Sequence, residues 1–327
     1  GDVASDADMT EEIIDTAKSK SDENKEVTAG GAPITNDKGE VVTSEDFVDL
    51  VDTFNNTDDE AAKEEALAMK ETYEENMKQA KAEGVKKFEF DLQKTSGGFD
   101  YNIIAVSDPQ FYSLEQFAKF AGKPVEDMTQ TAKSLTGTTV GLSLGDIGWD
   151  ESARLDDYKD AIVRTGVPFY SVVGNHDNNA WCHGDLESSA IYRSKMGPEN
   201  YAFFIGKDVV IVLDNIIYDT NFKANIGYAD HVIAWVKGFM PYVPSDADIY
   251  IAQHAPTMHG KKKIFQANAL LDLVRGHKVT FLSGHTHVNN NFTIEKNITE
   301  HNIAAICGAW WDTELCTDGT PKGYKVF

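Results

Sequence analysis

The sequence predicts an α/β fold. Short apolar runs at 102–107, 138–144, 167–173, 209–214, 248–253, 279–283 and 303–307 alternate in part with helix-like segments at 113–136, 150–165, 230–239 and 264–275. Asp, Asn, Gln and His collect directly after several of the runs. Uninterrupted apolar runs of this length are what strands covered on both faces look like.

The charge is uneven along the chain. The 327 residues carry 53 acidic and 30 basic side chains, a net of −23. Residues 1–100 hold 27 acidic, 11 basic and 6 aromatic side chains, whereas 101–327 hold 26, 19 and 28. An acidic front, 1–85, is therefore expected to precede a packed body, 86–327. A charge of this sign repels nucleic-acid backbones and anionic membrane surfaces, so neither is expected as the main partner. No apolar run approaches the roughly 18 residues of a membrane span, and none reads as a signal peptide, which a mature chain would in any case have lost.

In the front, residues 1–45 show no sustained period and read as a flexible lead. Residues 57–84 read as a helix. Thr57 and Glu60 form a capping-box pattern, and Ala62, Ala66, Met69, Tyr73, Met77 and Ala80 make one apolar stripe for packing on a neighbour. Gly84 is its stop. Phe88, Phe90 and Leu92 then alternate with polar residues as in a half-buried strand, broken by Ser96-Gly97-Gly98. Pro124 interrupts the segment 113–136.

The cysteines are Cys182, Cys307 and Cys316, too few for a disulfide framework. A Cys307–Cys316 bridge and a pair of free thiols are both open. A bridge would fit an extracytoplasmic location, with a cytoplasmic one as the alternative.

The polar clusters carry the chemistry. Asp108-Pro109-Gln110, Gly145-Asp146, Gly174-Asn175-His176-Asp177, His254 and Gly284-His285-Thr286-His287 each follow an apolar run. Ligand sites of α/β sheets lie beyond the carboxyl ends of strands, so five clusters can converge there. Carboxylate, imidazole and amide donors without thiolate suit divalent ions such as Mn, Fe or Zn. Two such ions clamp the attacking and leaving oxygens of a phosphoryl displacement and make hydroxide available near neutral pH.

The order D-x-Q, G-D, G-N-H-D, H and G-H-T-H resembles the calcineurin-like metallophosphoesterase family over about residues 100–327. Gly308-Ala309-Trp310-Trp311 and Asp318-Gly319-Thr320-Pro321 are similar to a bacterial subgroup of large, often exported members. The resemblance implies a four-layer α/β/β/α sandwich with a metal site at one edge. It implies that Asp108, Gln110 and His287 bind a first ion, that Asp146 bridges, and that Asn175, His254 and His285 bind a second. His176 would assist the leaving group, oriented by Asp177. The implied reaction is hydrolysis of phosphate mono- or diesters of a small phosphorylated substrate. The alternatives are a pyrophosphatase acting on ADP-ribose-like nucleotides and a non-catalytic metal-dependent binding module.

Three departures from the family stand out. Gln110 occupies a position commonly held by His, and its neutral amide oxygen shifts the expected preference toward manganese or magnesium; its alternative role is a nearby hydrogen bond. The subgroup implies a small β domain where the acidic front lies. Resembling proteins also often continue beyond Phe327. Candidate pocket residues are Tyr112, Trp149, Asn178, Asn179, Trp181, His259, Trp310 and Trp311, the last two able to stack on a base or to pack internally. Lys261-Lys262-Lys263 reads as a phosphate contact or a solvated loop, and Asp214-Asn215 as a positioning group or a cap.

Overall fold

The computed structural model describes residues 34–35, 41–42, 100–179, 184–218 and 224–327. The helix expected at 57–84, the strand at 88–92, the boundary at 85/86, Trp181 and Cys182 lie outside the described residues. Two short strands, β1 (Ile34–Thr35) and β2 (Val41–Val42), pair antiparallel in the front.

The body is built on two sheets. The first takes β3 (Tyr101–Val106), β4 (Thr138–Ser143) and β5 (Phe169–Ser171) in parallel, with β16 (Lys325–Val326) antiparallel against β3. The second is ordered β14-β15-β13-β10-β7-β6. Its strands are β6 (Tyr201–Ile205), β7 (Asp208–Val212), β10 (Ile249–Ala252), β13 (Val279–Ser283), β14 (Asn290–Glu295) and β15 (Ile298–Asn302). Here β7, β10, β13 and β15 run parallel, while β6 and β14 are antiparallel edges. Two short antiparallel pairs, β8 (Ile216–Tyr218) with β9 (Ala224–Ile226) and β11 (Met258–His259) with β12 (Lys262–Lys263), stand apart from both sheets.

Period-two alternation assigns each strand's side chains to two different cores. Ile103 and Ala105 of β3, Val140 and Leu142 of β4, Val210 and Val212 of β7 and Leu282 of β13 fill the space between the sheets. Ile104 and Val106 face the other way. They meet α1 (Leu114–Ala121), α2 (Lys123–Ser134), α3 (Ala153–Ile162) and α5 (Ala190–Met196), which follows the short α4 (Asp185–Ser188). On the far side, Val209, Ile211, Ile249, Ile251 and Phe281 meet α6 (Asp230–Phe239) and α7 (Ala267–Val274). The result is the expected α/β/β/α sandwich, each of these large apolar side chains contributing roughly 1.5–3 kcal/mol on burial.

Local chemistry sets the helix bounds. Ser113 Oγ accepts from the Gln116 amide at 3.2 Å and starts α1. Gly122 ends α1, and Pro124 sits in the first turn of α2, where its missing N–H costs nothing.

One expectation is corrected, and one pair of open alternatives is decided. The run 303–307 is not a strand; β15 lies just before it, at 298–302. Its ITEHN sequence reads as polar because Glu300 and Asn302 are buried and used. Glu300 accepts from Ser283 Oγ at 2.6 Å and from the Thr257 amide at 3.1 Å, and Asn302 Nδ2 donates to the Gly284 carbonyl at 2.5 Å. The Cys307–Cys316 bridge is not formed. Both thiols are free and buried, with Cys316 Sγ on the Ala305 carbonyl at 3.5 Å and Cys307 Sγ on that of Gly308 at 3.5 Å. The bridge therefore lends no support to an extracytoplasmic location. Among the described residues no helix is long and apolar enough to cross a membrane.

Candidate metal centre

The carboxyl ends of β3, β4, β5, β10 and β13 meet along one edge of the sandwich. Asp108 follows β3, Asp146 follows β4, Asn175 follows β5, His254 follows β10 and His285 follows β13. Asp108, Gln110, Asp146, Asn175, His254 and His287 are all buried, and His285 is partly so. Two motif glycines permit the crowding. A Cβ on Gly284 would lie 1.6 Å from Ser107 Oγ and 2.6 Å from Asp108 Oδ2. One on Gly174 would lie 2.2 Å from Asp146 Oδ1.

Asp146, His254 and His285 each present a ligand atom within 4.8 Å of the others. His254 Nε2 is 3.2 Å from Asp146 Oδ2, 3.0 Å from Asn175 Oδ1 and 3.1 Å from His285 Nδ1. The other ring nitrogen, Nδ1, lies 2.7 Å from the Leu144 carbonyl. That acceptor requires the proton on Nδ1 and aims Nε2 at the cluster. Alongside, His287 Nε2 is 3.4 Å from Asp108 Oδ1, and Gln110 Nε2 donates to Asp146 Oδ2 at 3.2 Å. Backbone amides hold the carboxylates in place: His176 N donates to Asp146 Oδ1 at 2.9 Å, and His285 N to Asp108 Oδ2 at 3.0 Å.

The electrostatics are those of a pocket seeking positive charge. Burial works to raise Asp108 and Asp146, but His287 beside the first and His254 beside the second hold both below the ordinary carboxylate range. Burial opposes a charge on His254, yet the Asp146 carboxylate pushes it up to about 9. His285, buried and next to cationic His254, is pushed down to about 3. Two atoms suited to a cation have no hydrogen-bond partner despite burial, Gln110 Oε1 and His285 Nε2, and Asp108 Oδ1 has only the 3.4 Å contact with His287. Leaving such atoms unsatisfied costs roughly 1–3 kcal/mol each, so the donor set fits divalent ions at this edge.

His176 stands beside the cluster, with its side chain 11% exposed. Its Nδ1 lies 3.0 Å from Asp150 Oδ1, and Trp149 flanks its ring at 5.6 Å. The sequence assigned the orienting role to Asp177, but the geometry gives the carboxylate on His176 to Asp150. Asp177 instead accepts from the amides of Ile147 at 2.8 Å, Gly148 at 3.2 Å and Gly174 at 2.9 Å. It pins the Asp146 loop to the Asn175 loop, with burial and the Asp146 charge raising it to about 7. Asp150 carries no motif signal; its only cue is a place four residues after Asp146.

The remaining candidates divide between the site and its supports. Tyr112, Trp149 and Trp310 form a chain of rings, at 6.0 Å and 6.2 Å, and Trp310 lies 5.2 Å from His287. Trp311 is buried, its Nε1 donating to the Pro109 carbonyl at 2.8 Å. Asn178 Nδ2 donates to the Gly174 carbonyl, and Asn179 N to that of Ser188. Asn215 brackets the chain after His254, its amide bonding both Ala255 N and Ala255 O, while Asp214 caps the Ile216 amide. His259 and Lys262–Lys263 form a small hairpin, in which Lys263 pairs with Glu295 at 2.9 Å.

Comparison with known proteins gives the family. The sequence profile of the calcineurin-like phosphoesterases matches residues 101–289, more than half of the chain. The chain belongs to that family, and is a hydrolase of phosphate ester bonds. No curated protein matches it. Similar solved structures include a dimetal phosphatase from Danio rerio, at 15% identity and TM-score 0.46 over 63% of this chain and 87% of that one. A 5′-nucleotidase from Candida albicans has 13% identity and TM-score 0.42 over 66% of this chain. The match spans about half of the nucleotidase, 47%. A phosphopantetheinyl hydrolase from Mycobacterium tuberculosis has 12% identity and TM-score 0.41 over 63% of this chain and 89% of that one.

Proposed function

We propose that this chain hydrolyses small phosphate mono- or diesters with two divalent ions, manganese favoured, held at the sheet edge. The reading rests on one observation above all: Asp146, His254 and His285 present ligand atoms within 4.8 Å of one another, and Gln110 Oε1 and His285 Nε2 beside them are buried with no hydrogen-bond partner. Asp108, Gln110 and His287 would hold one ion, Asn175, His254 and His285 the other, and Asp146 both. When bound, the ions supply Lewis acidity toward the phosphoryl oxygens and an activated water.

The chain's own residues do the rest. His254, with Nδ1 tied to Leu144, presents Nε2 without freedom to rotate. The amides of His176 and His285 fix the two carboxylates, so no reorganisation is needed when charge builds on the phosphoryl group. His176, oriented through Nδ1 by Asp150, delivers a proton from Nε2 to the departing oxygen. The neutral amide of Gln110 in place of an imidazole favours manganese or magnesium.

Hydrolysis of aryl phosphate mono- and diesters and of ADP-ribose with added manganese tests the reading. His176→Ala is expected to lose about 10²–10⁴ in kcat while keeping its metal. Asp146→Asn should lose more metal and more activity than Gln110→Ala, because only Asp146 would serve both ions. Equal effects of the two would remove the bridging assignment. Preference for ADP-ribose would move the reading to a pyrophosphatase. Absence of turnover on every ester and pyrophosphate would leave a metal-dependent binding module.

A further inference from the structure

Two neighbouring tryptophans have opposite fates. Trp311 is 6% exposed; it donates to the Pro109 carbonyl, lies edge-on to Phe120 at 6.5 Å and carries Lys322 Nζ over its ring at 5.3 Å. It anchors its loop beneath the segment joining Asp108 to Gln110. Trp310 is 37% exposed, although its ring is 5.2 Å from that of His287. Both residues have left-handed backbone, φ 50° and 68°, a conformation disfavoured for bulky residues. The chain thus holds a strained turn that buries one indole and leaves the other at the mouth of the site. Packing accounts for Trp311 and leaves the exposure of Trp310 unexplained.

Trp310 does not stand alone. Trp149 lies 6.2 Å from it and 5.6 Å from His176, and Tyr112, 47% exposed, continues the row at 6.0 Å from Trp149. The row therefore starts at His287, passes the ring proposed to protonate the leaving oxygen, and runs out to solvent. A group attached to that oxygen would leave along these faces. Aromatic faces hold planar π systems by stacking, at roughly 1–3 kcal/mol per base.

Building on the phosphoesterase reading, we propose that Trp310, with Trp149 and Tyr112, is a stacking shelf that selects phosphate esters whose alcohol part carries a planar aromatic ring. Nucleosides and simple aryl alcohols share that chemistry, and separate substrates distinguish them.

The test compares manganese-loaded wild type, Trp310→Ala and Trp310→Phe on adenosine monophosphate, 4-nitrophenyl phosphate and glycerol phosphate. In Trp310→Ala the kcat/KM ratio of an aromatic ester over glycerol phosphate should fall about tenfold, through KM, and Trp310→Phe should recover most of it. The aromatic substrate with the larger fall identifies the ring the shelf takes. Calorimetric titration of adenosine monophosphate and 4-nitrophenyl phosphate needs no turnover; at least one should bind Trp310→Ala about tenfold more weakly. Unchanged ratios together with unchanged binding would overturn the shelf. If the wild type cleaves no ester, the catalytic reading fails, while the titration still decides the shelf.

Discussion

At Asp108, Gln110, Asp146, His285 and His287 the backbone is left-handed, with φ between 42° and 70°. For residues with a Cβ this conformation costs roughly 1–2 kcal/mol each. Five of the seven candidate ligands sit in it, which is strain concentrated at a functional edge. The turns let each chain leave its strand and aim a side chain back across the strand ends. These donors were legible in the sequence because each follows an apolar run within a few residues. Asp150 was not, since nothing in a lone Asp after Gly148-Trp149 tells that it reaches His176. Asp177 misled because adjacency on a tight turn aims its carboxylate at backbone amides instead. The two carboxylates should separate experimentally. Asp150→Asn is expected to keep its metal and fold but to lower kcat by about tenfold or more and to alter the pH–rate profile, because it changes how His176 is held. Asp177→Asn should lower thermal stability, since an amide cannot accept three N–H donors as a carboxylate does. A normal pH–rate profile in Asp150→Asn would remove its positioning role.

Among the elements, the buried parallel strands were readable from apolar runs, and α1 and α2 from the Pro124 break. What escaped were elements whose buried face is polar or whose pattern is short. In β15 the inward residues Glu300 and Asn302 serve the His254 and Gly284 loops, so the strand looked like surface. The edge strand β6 and the short α4 and α5 follow no long period. The same closeness between loops makes the motif glycines decisive. Gly284→Ala places a methyl group against Ser107 Oγ and Asp108 Oδ2. The protein has to move the β13 loop away from the β3 loop, so His285 and His287 leave the Asp108 side together. Metal content of the purified variant is expected to fall well below that of wild type, while far-ultraviolet circular dichroism stays close to wild type because the sandwich core lies elsewhere. Wild-type metal content in this variant would show that the loop has slack the geometry does not suggest.

For the whole molecule, the question is how a body of net −7 tolerates two buried carboxylates at the seam of its sheets. Without a cation, charge balance near Asp146 falls to His254, and near Asp108 to His287. Two divalent ions would take over that role and release the imidazoles to act as neutral ligands. Because all five candidate donor loops close on one edge, ions held there would join the first sheet to the second, in addition to the inter-sheet core. Binding to the folded form alone stabilises it by RT ln(1 + [L]/Kd), about 2.7 kcal/mol at a hundredfold excess over Kd. For a body of this size each kcal/mol moves Tm by roughly 2–4 °C, so saturating manganese should raise Tm by about 5–10 °C over chelator-treated protein. Differential scanning calorimetry of the full chain measures this directly. Asp146→Asn should show a much smaller rise, since the shared ligand is weakened, while His176→Ala should show the full one. A rise in Asp146→Asn equal to that of wild type would place the stabilising ions somewhere other than this edge.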